Sequence, residues 1–303
     1  MILVAGVSPA WQQIMEFDGI ATGEVNRARC VTWCASGKVL NVALALRSLT
    51  ARFPSGSVCH PHVMSLLGGW SGAAIQSELD ALGLASTWLQ VDVPTRVCTT
   101  LLDAGQAVTT ELIENSGHID LSLAREFQDL VIDQARSAEF VVLTGSIPAN
   151  FPDTWYAELL EQIRAPVLLD FRGPQLRACL PHRPRVVKPN REELAATVGR
   201  SLPTRDDVLT AMRELNTLGA DWVVVSGGPE EILVTSANDF RAVQPPVVDN
   251  VVNPIGCGDC LAAGIALGLT RGDDLWASLA IGIQAATDNV QQLLPARCQS
   301  IEP

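Results

Sequence analysis

Lysine is nearly missing from this chain of 303 residues: of 21 basic side chains only Lys38 and Lys188 are lysines, and all the others are arginine. Charge of either kind is sparse, at 18% of residues, and the balance is acidic, with a net charge of −12. That balance excludes nucleic acid and anionic membrane surfaces as partners, since both need a field of basic groups. There is no uninterrupted apolar run of about 18 residues, so no membrane span is expected. The first seven residues are apolar with no basic stretch before them, which reads as an opening β-strand and not a secretory signal, and the protein is expected to be cytoplasmic. No Gly-x-x-x-x-Gly-Lys-Ser/Thr occurs, and Gly256-x-Gly258 lacks a third glycine, which argues against a P-loop and against a dinucleotide fold. Repeats, low-complexity tracts and flexible linkers are absent as well. Eight cysteines in a chain of this length do not make a disulfide scaffold. Cys257-x-x-Cys260 and Cys30-x-x-x-Cys34 could each be half of a zinc site, and Cys257 with Cys260 a redox pair, but no compact second pair follows and His60 and His62 stand in a proline-containing loop. Buried free thiols are the simpler reading.

What is present is more pointed. With 48% hydrophobic residues the chain can bury a large core. Asn253-Pro254-Ile255-Gly256-Cys257-Gly258-Asp259-Cys260 places two glycines and an aspartate at the head of an apolar helical run. Such a turn can aim backbone N–H groups and the positive end of a helix dipole at an anion. A carboxylate beside an anion site has an obvious task, which is to take a proton from a hydroxyl that attacks phosphorus. The plain alternative is a glycine-rich helix start with an acid in its first turn. Both lysines fall in glycine- or proline-punctuated segments, Ser36-Gly37-Lys38-Val39-Leu40-Asn41 and Val186-Val187-Lys188-Pro189-Asn190. A compact ammonium is not replaced by a planar guanidinium where a single phosphate oxygen must be reached.

Strand-length apolar runs at 1–7, 63–67, 140–144, 167–170, 222–226 and 232–235 alternate with helical patterns at 39–49, 73–82, 121–136, 155–163, 206–218, 259–269 and 275–290. This order predicts an α/β protein, a mostly parallel sheet covered on both faces, with ligands at the strand ends. Two stretches, roughly 11–35 and 87–114, instead read as short alternating strands. They would form a small projecting sheet, either a lid that excludes water or an ordinary surface excursion.

Together these segments resemble the ribokinase-like carbohydrate kinases, specifically the phosphofructokinase B branch with 1-phosphofructokinase and tagatose-6-phosphate kinase. Ser8-Pro9-Ala10 and Gly23-Glu24-Val25-Asn26-Arg27 look like its opening, and 36–43 is similar to its Gly-Gly-Lys-Gly-x-Asn-Val-Ala sugar motif. Thr95-Arg96 resembles the lid arginine and Gly145-Ser146-Ile147-Pro148 the Gly-Ser-Leu-Pro turn. Lys188-Pro189-Asn190-x-x-Glu193-Leu194 resembles the Lys-Pro-Asn-x-x-Glu-Leu motif, and 253–259 the anion hole with its base. The resemblance implies one ribokinase-like three-layer domain over 1–303 with a β-sheet lid, ATP and Mg²⁺ as cofactors, and a homodimer through the lid. It implies Asp259 as base and the backbone of Gly256, Cys257 and Gly258 as anion hole. Lys38 and Arg96 would clamp a sugar phosphate, with Gln12, Gly37, Asn41 and Ser146 around the sugar. Lys188, Ser226 and Gly228 would hold the nucleotide, with Asn289 an adenine contact. Asn190 and Glu193 would hold Mg²⁺ through water, although the same pair also reads as a helix cap and its capping-box partner.

The departures from the family pattern lie on the acceptor side. An amide, Gln12, stands where the family carries the carboxylate that grips sugar hydroxyls. Val39 replaces a glycine and is expected to strain a positive φ and crowd the sugar, and Cys98 and Thr100 replace asparagine and lysine. Three readings follow: a kinase for a small phosphorylated sugar of the fructose or tagatose phosphate type, a kinase for an unphosphorylated sugar or nucleoside, and a non-catalytic sugar- or nucleotide-binding relic.

Overall fold

The computed structural model describes residues 1–52 and 60–298. The chain begins with β1 (Ile2–Ala5), β2 (Ala10–Phe17), β3 (Cys30–Ser36), α1 (Lys38–Thr50), β4 (Pro61–Leu67), α2 (Gly69–Ala81) and β5 (Ala85–Gln90). It continues through β6 (Val97–Asp103), β7 (Val108–Ile113), α3 (Leu121–Ala135), β8 (Phe140–Thr144), α4 (Trp155–Leu160), β9 (Val167–Asp170) and α5 (Pro174–Cys179). The last third holds β10 (Val186–Val187), α6 (Arg191–Val198), α7 (Arg205–Leu218), β11 (Trp222–Val225), β12 (Ile232–Thr235), β13 (Phe240–Val243), α8 (Cys257–Thr270) and α9 (Leu275–Val290).

The main sheet has the order β13-β12-β11-β10-β9-β8-β1-β4-β5, parallel except at β11/β12 and β12/β13. Central strands such as Ile2–Ala5 and Phe140–Thr144 are buried along their whole length, which is why they read as unbroken apolar runs. Their side chains alternate between two cores. Leu3, Ala5, Val141 and Leu143 pack with α3 to α7, whereas Ile2, Val4, Phe140 and Val142 pack with α1, α8 and α9. The expected three-layer α/β architecture is thus observed. Among the described residues no helix is long and apolar enough to cross a membrane.

A second sheet, ordered β3-β2-β6-β7, is built from the two stretches that lacked helical period. The 87–114 stretch does not belong to it throughout, because β5 takes 85–90 to the edge of the main sheet beside β4. The register fixes two faces: Gln12 lies opposite Cys98, Ile14 opposite Thr100, and Thr100 opposite Glu111, so all share the inward side. Trp11, Met15, Val31 and Trp33 lie on the outward side, where Trp11 and Trp33 stack with ring centroids 6.3 Å apart. The chain returns to the main body at Gly37, whose φ of +86° and whose approach to Ala10, 2.9 Å from a notional Cβ to the backbone nitrogen, leave room only for glycine. Four short elements escaped the sequence reading. β10 and β13 have two and four residues, and α5 and α6 have six and eight, too few to show a period.

Candidate active site

Parallel strands point their carboxyl ends the same way, and here β8, β9, β10 and β11 lead directly into one cavity of about 620 Å³ between the main sheet and the inward face of the small sheet. Its walls include Gln12, Cys98, Arg96 and Glu111 from or beside the small sheet, and Gly145 and Ser146 after β8. Asp170 ends β9, Lys188 follows β10, and the turn Pro254–Gly256 leads into α8, which brings Gly258 and Asp259 to the wall. The turn is shaped by Gly256 at φ +85° and tied by two buried asparagines. Asn253 donates to the Leu293 carbonyl and accepts from the Ile255 amide, while Asn289 donates to the Ile255 carbonyl at 2.9 Å and accepts from the Ala296 amide. In the first turn of α8 the Cys257 amide bonds the Pro254 carbonyl, and the amides of Gly258 and Asp259 after it are left for an anion at this opening. Lys188 adds a charge there, its Nζ lying 3.5 Å from where a Cβ on Gly258 would stand.

Asp259 is buried at the head of α8 and accepts a 2.7 Å hydrogen bond from Asn41 Nδ2, while Asn41 Oδ1 accepts from Ser36. Burial, with the Asp170 charge adding to it, pushes the Asp259 carboxyl up to about 7, against the opposing pull of Lys38, Asn41 and Lys188. A base poised there can accept a proton at neutral pH. The two lysines converge on one residue: Asp170 Oδ1 is 2.9 Å from Lys38 Nζ and Oδ2 is 3.2 Å from Lys188 Nζ. Lys38 also donates to Glu193 at 2.7 Å. Burial alone would discharge these groups. The neighbouring opposite charges outweigh it, holding Asp170 below the usual carboxylate range and Lys38 above the usual ammonium range.

A cavity at strand ends, with a helix start and a buried carboxylate on its wall, suits phosphoryl transfer. Residues 9–301 match the model for pfkB family carbohydrate kinases. The chain belongs to this family. As a pfkB carbohydrate kinase it is an enzyme, and the family implies ATP as its phosphoryl donor. The fold is shared with phosphofructokinase-2 from Escherichia coli in its tetrameric inhibited form, at 23% identity over 95% of this chain and 93% of that one, with a TM-score of 0.84. A possible 1-phosphofructokinase from Thermotoga maritima is 19% identical over 97% and 93% of the two chains, with a TM-score of 0.86. Ribokinase from the same organism is 17% identical over 99% and 95%, at 0.76.

Within this kinase, Gln12, Gly37, Lys38, Asn41, Arg96, Ser146, Lys188, Asn190, Glu193, Ser226, Gly256, Gly258 and Asp259 all line the one cavity. Others differ from the sequence-based expectation. Asn289 is fully buried and fully engaged as a strut of the turn, so it is not available to an adenine. Cys257 turns its thiol toward α9 and donates to the Ala286 carbonyl, and its amide bonds Pro254 at 3.3 Å. Cys257 and Cys260 do not pair: the Cys260 sulfur lies 3.4 Å from that of Cys298. Val39 neither strains the backbone nor crowds the sugar. The helix starts at Lys38, Gly37 carries the positive φ, and Val39 packs into the core against Gly6. Asn190 and Glu193 form the capping box of α6, each bonding the other's amide. Asn41, assigned to the sugar, is engaged with Asp259. Asp170, Arg172 and Glu111 were not anticipated, although an acid closing a fully buried strand was itself a signal, since it demands a cation.

Proposed function

We propose that the protein transfers the terminal phosphoryl group of ATP to a hydroxyl of a small phosphorylated sugar, with Asp259 as the base. The observation that carries this reading is Asp259 held by Asn41 beside an amide-lined helix start and Lys188. Asp259 would take the hydroxyl proton as the oxygen attacks phosphorus, and Asn41 would keep the carboxylate turned toward it. The first-turn amides of α8 and the Lys188 ammonium would meet the charge that grows on the transferred group. Gln12 donates to Thr100 Oγ1 at 2.6 Å, which leaves its carbonyl oxygen as an acceptor for a sugar hydroxyl. Arg96, with its guanidinium laid across the carbonyls of Ser8, Pro9 and Glu114 at 3.2–3.3 Å, would join Lys38 in receiving the acceptor's own phosphate.

Among the described residues no group of three or more His, Cys, Asp or Glu side chains could hold a metal ion directly. Asn190 and Glu193 offer only oxygen, already engaged in a helix cap, which fits a hydrated magnesium ion held through water. Bound there, Mg²⁺ would neutralise phosphate charge. The closing small sheet would serve as a lid.

The test is ADP release with Mg-ATP against fructose phosphates, tagatose 6-phosphate, free hexoses and nucleosides. Turnover with phosphosugars is expected, and turnover confined to neutral acceptors would replace this reading by the second. That second reading is favoured by one observation, the Glu111 carboxylate on the inward wall, which a phosphate would have to avoid. Arg96→Gln separates them further. Losing a charged hydrogen bond is worth about 1.5–3 kcal/mol, so KM for phosphorylated acceptors should rise ~10-fold or more while that for neutral ones holds. Equal changes for both classes would remove Arg96 from the phosphate contact.

The partner is a second copy of the chain, meeting the outward face of the small sheet. Val31, Trp33 and Leu112 are exposed there beside the Trp11–Trp33 stack, an apolar surface of the kind that marks interfaces. Light scattering after size exclusion should report a dimer that Trp33→Glu splits, and a monomeric wild-type protein would end this assignment.

A further inference from the structure

Asp170 takes no part in proton transfer, yet it is the most enclosed charged group of the cavity, with no exposed surface. Its two partners reach it from opposite directions. Lys38 comes from the first turn of α1, just after the chain leaves the small sheet, and Lys188 comes from the end of β10. The two ammonium groups therefore stand within one carboxylate's reach of each other, although like charges would otherwise drive them apart. Lys188 lies against Gly258, at the helix start that faces the donor phosphate. Lys38 is turned to Glu193 as well as to Asp170. The two contacts are not alike. Oδ1 accepts a directed hydrogen bond from Lys38, whereas Oδ2 accepts no well-directed bond and holds Lys188 by charge. Lys188 is thus fixed in place while its N–H bonds are left to turn toward a phosphate oxygen.

We propose that Asp170 is a positioning residue for phosphoryl transfer, whose single carboxylate holds Lys38 and Lys188 at fixed points on either side of the path of the transferred group. It touches neither substrate and acts through the lysines. The chain's use of arginine everywhere else fits this role, because a compact ammonium on a flexible stem can give one donor to a shared carboxylate and turn the others to a phosphate. The proposal rests on the phosphoryl-transfer reading of the cavity, and it predicts a coupling that holds whatever the acceptor is.

Calorimetric titration with Mg-ATP needs no acceptor and so separates this role from the identity of the sugar. Asp170→Asn and Lys188→Met are each expected to weaken Mg-ATP by ~10-fold or more, and the double variant by no more than Lys188→Met alone, because without the donor-side ammonium Asp170 has nothing there to hold. Wild-type affinity in Asp170→Asn, or losses that multiply, would overturn the proposal. Removing a fully buried charge can prevent folding. The pair Lys38→Met and Lys188→Met, in protein that keeps Asp170, therefore repeats the cycle by the same titration: non-additive losses support the shared anchor and multiplicative ones refute it. A readout that mere structural damage would not move is the pH profile. Asp259 is faced by Asn41, Lys38, Lys188 and Asp170, and the Asp170 charge is among the influences that push its carboxyl up. The acid limb of kcat/KM in Asp170→Asn should move to lower pH. Loss of activity with the limb unmoved would count against the proposal.

Discussion

Asp259→Asn is expected to lower turnover at least ~10²-fold while raising thermal stability at neutral pH. The first effect follows from loss of the general base, which contributes on that scale. The wild-type enzyme should lose kcat/KM as pH falls through about 7, where the buried carboxyl takes up its proton, and the variant's residual rate should lack this limb. The second effect has a definite sign. The folded-state value near 7 lies above the unfolded value of about 3.9, so the protonated form suits the fold and ionisation burdens it. That burden grows as pH rises from about 4 to about 7 and is constant above. Asparagine, which resembles the protonated acid, should therefore stabilise by up to about 4 kcal/mol at pH 8 and by much less at pH 4, as thermal melts at the two pH values would reveal. Turnover near the wild-type level would remove Asp259 from its role. A melting temperature that falls equally at both pH values would remove the electrostatic account of its carboxyl.

Gly264→Leu is expected to cost about 3 kcal/mol or more, or to prevent folding altogether. A Cβ on Gly264 would stand 2.3 Å from Gly282 Cα, and one on Gly268 would stand 2.6 Å from Ser278 Cα. The helices α8 and α9 thus touch backbone to backbone at Gly264, with no flexible side chain to move aside there, and overpacking of such contacts costs on this scale. Gly19→Ala, with nothing within 4 Å of its Cβ, is the matched control and should change stability by no more than about 0.5 kcal/mol. Thermal melts of the two variants test this directly, and equal stability would show that the helices can separate freely. The crossing matters for chemistry because α8 begins at the anion turn, and Asn289 of α9 holds that turn by the Ile255 carbonyl. Helix spacing and the position of Asp259 at the head of α8 are thereby linked.

Much of this was legible from residues alone, for identifiable reasons. The central strands are buried on both faces and read as continuous apolar runs, and the turn before α8 reads through its glycines because Gly256 must take a positive φ there. Asn190 and Glu193 carried two meanings from the start, cap and metal site, since the cap's geometry and oxygen donors toward a hydrated ion use the same atoms. The misplaced residues were those whose direction depends on an element boundary. Val39 was expected in the cavity because it stands where the family motif carries a glycine, whereas the helix starts at Lys38 and Gly37 takes the positive φ. Asn289 was expected at a nucleotide through the family resemblance, while a carbonyl and an amide 34 and 7 residues away, at Ile255 and Ala296, had already claimed it. Asp170 could not be recognised by a motif. Its meaning comes from two lysines 132 and 18 residues away, brought together only by the order of the strands.

The confinement of both lysines to the cavity, with side-chain exposures of 32% for Lys38 and 3% for Lys188, leaves the exterior without ε-amines. Acetyl donors, isothiocyanates and aldehydes, electrophiles that neutral amines attack, meet only guanidinium on the outside of the molecule. Outside the amino terminus, covalent amine chemistry on this protein is confined to the cavity that Lys38 and Lys188 line.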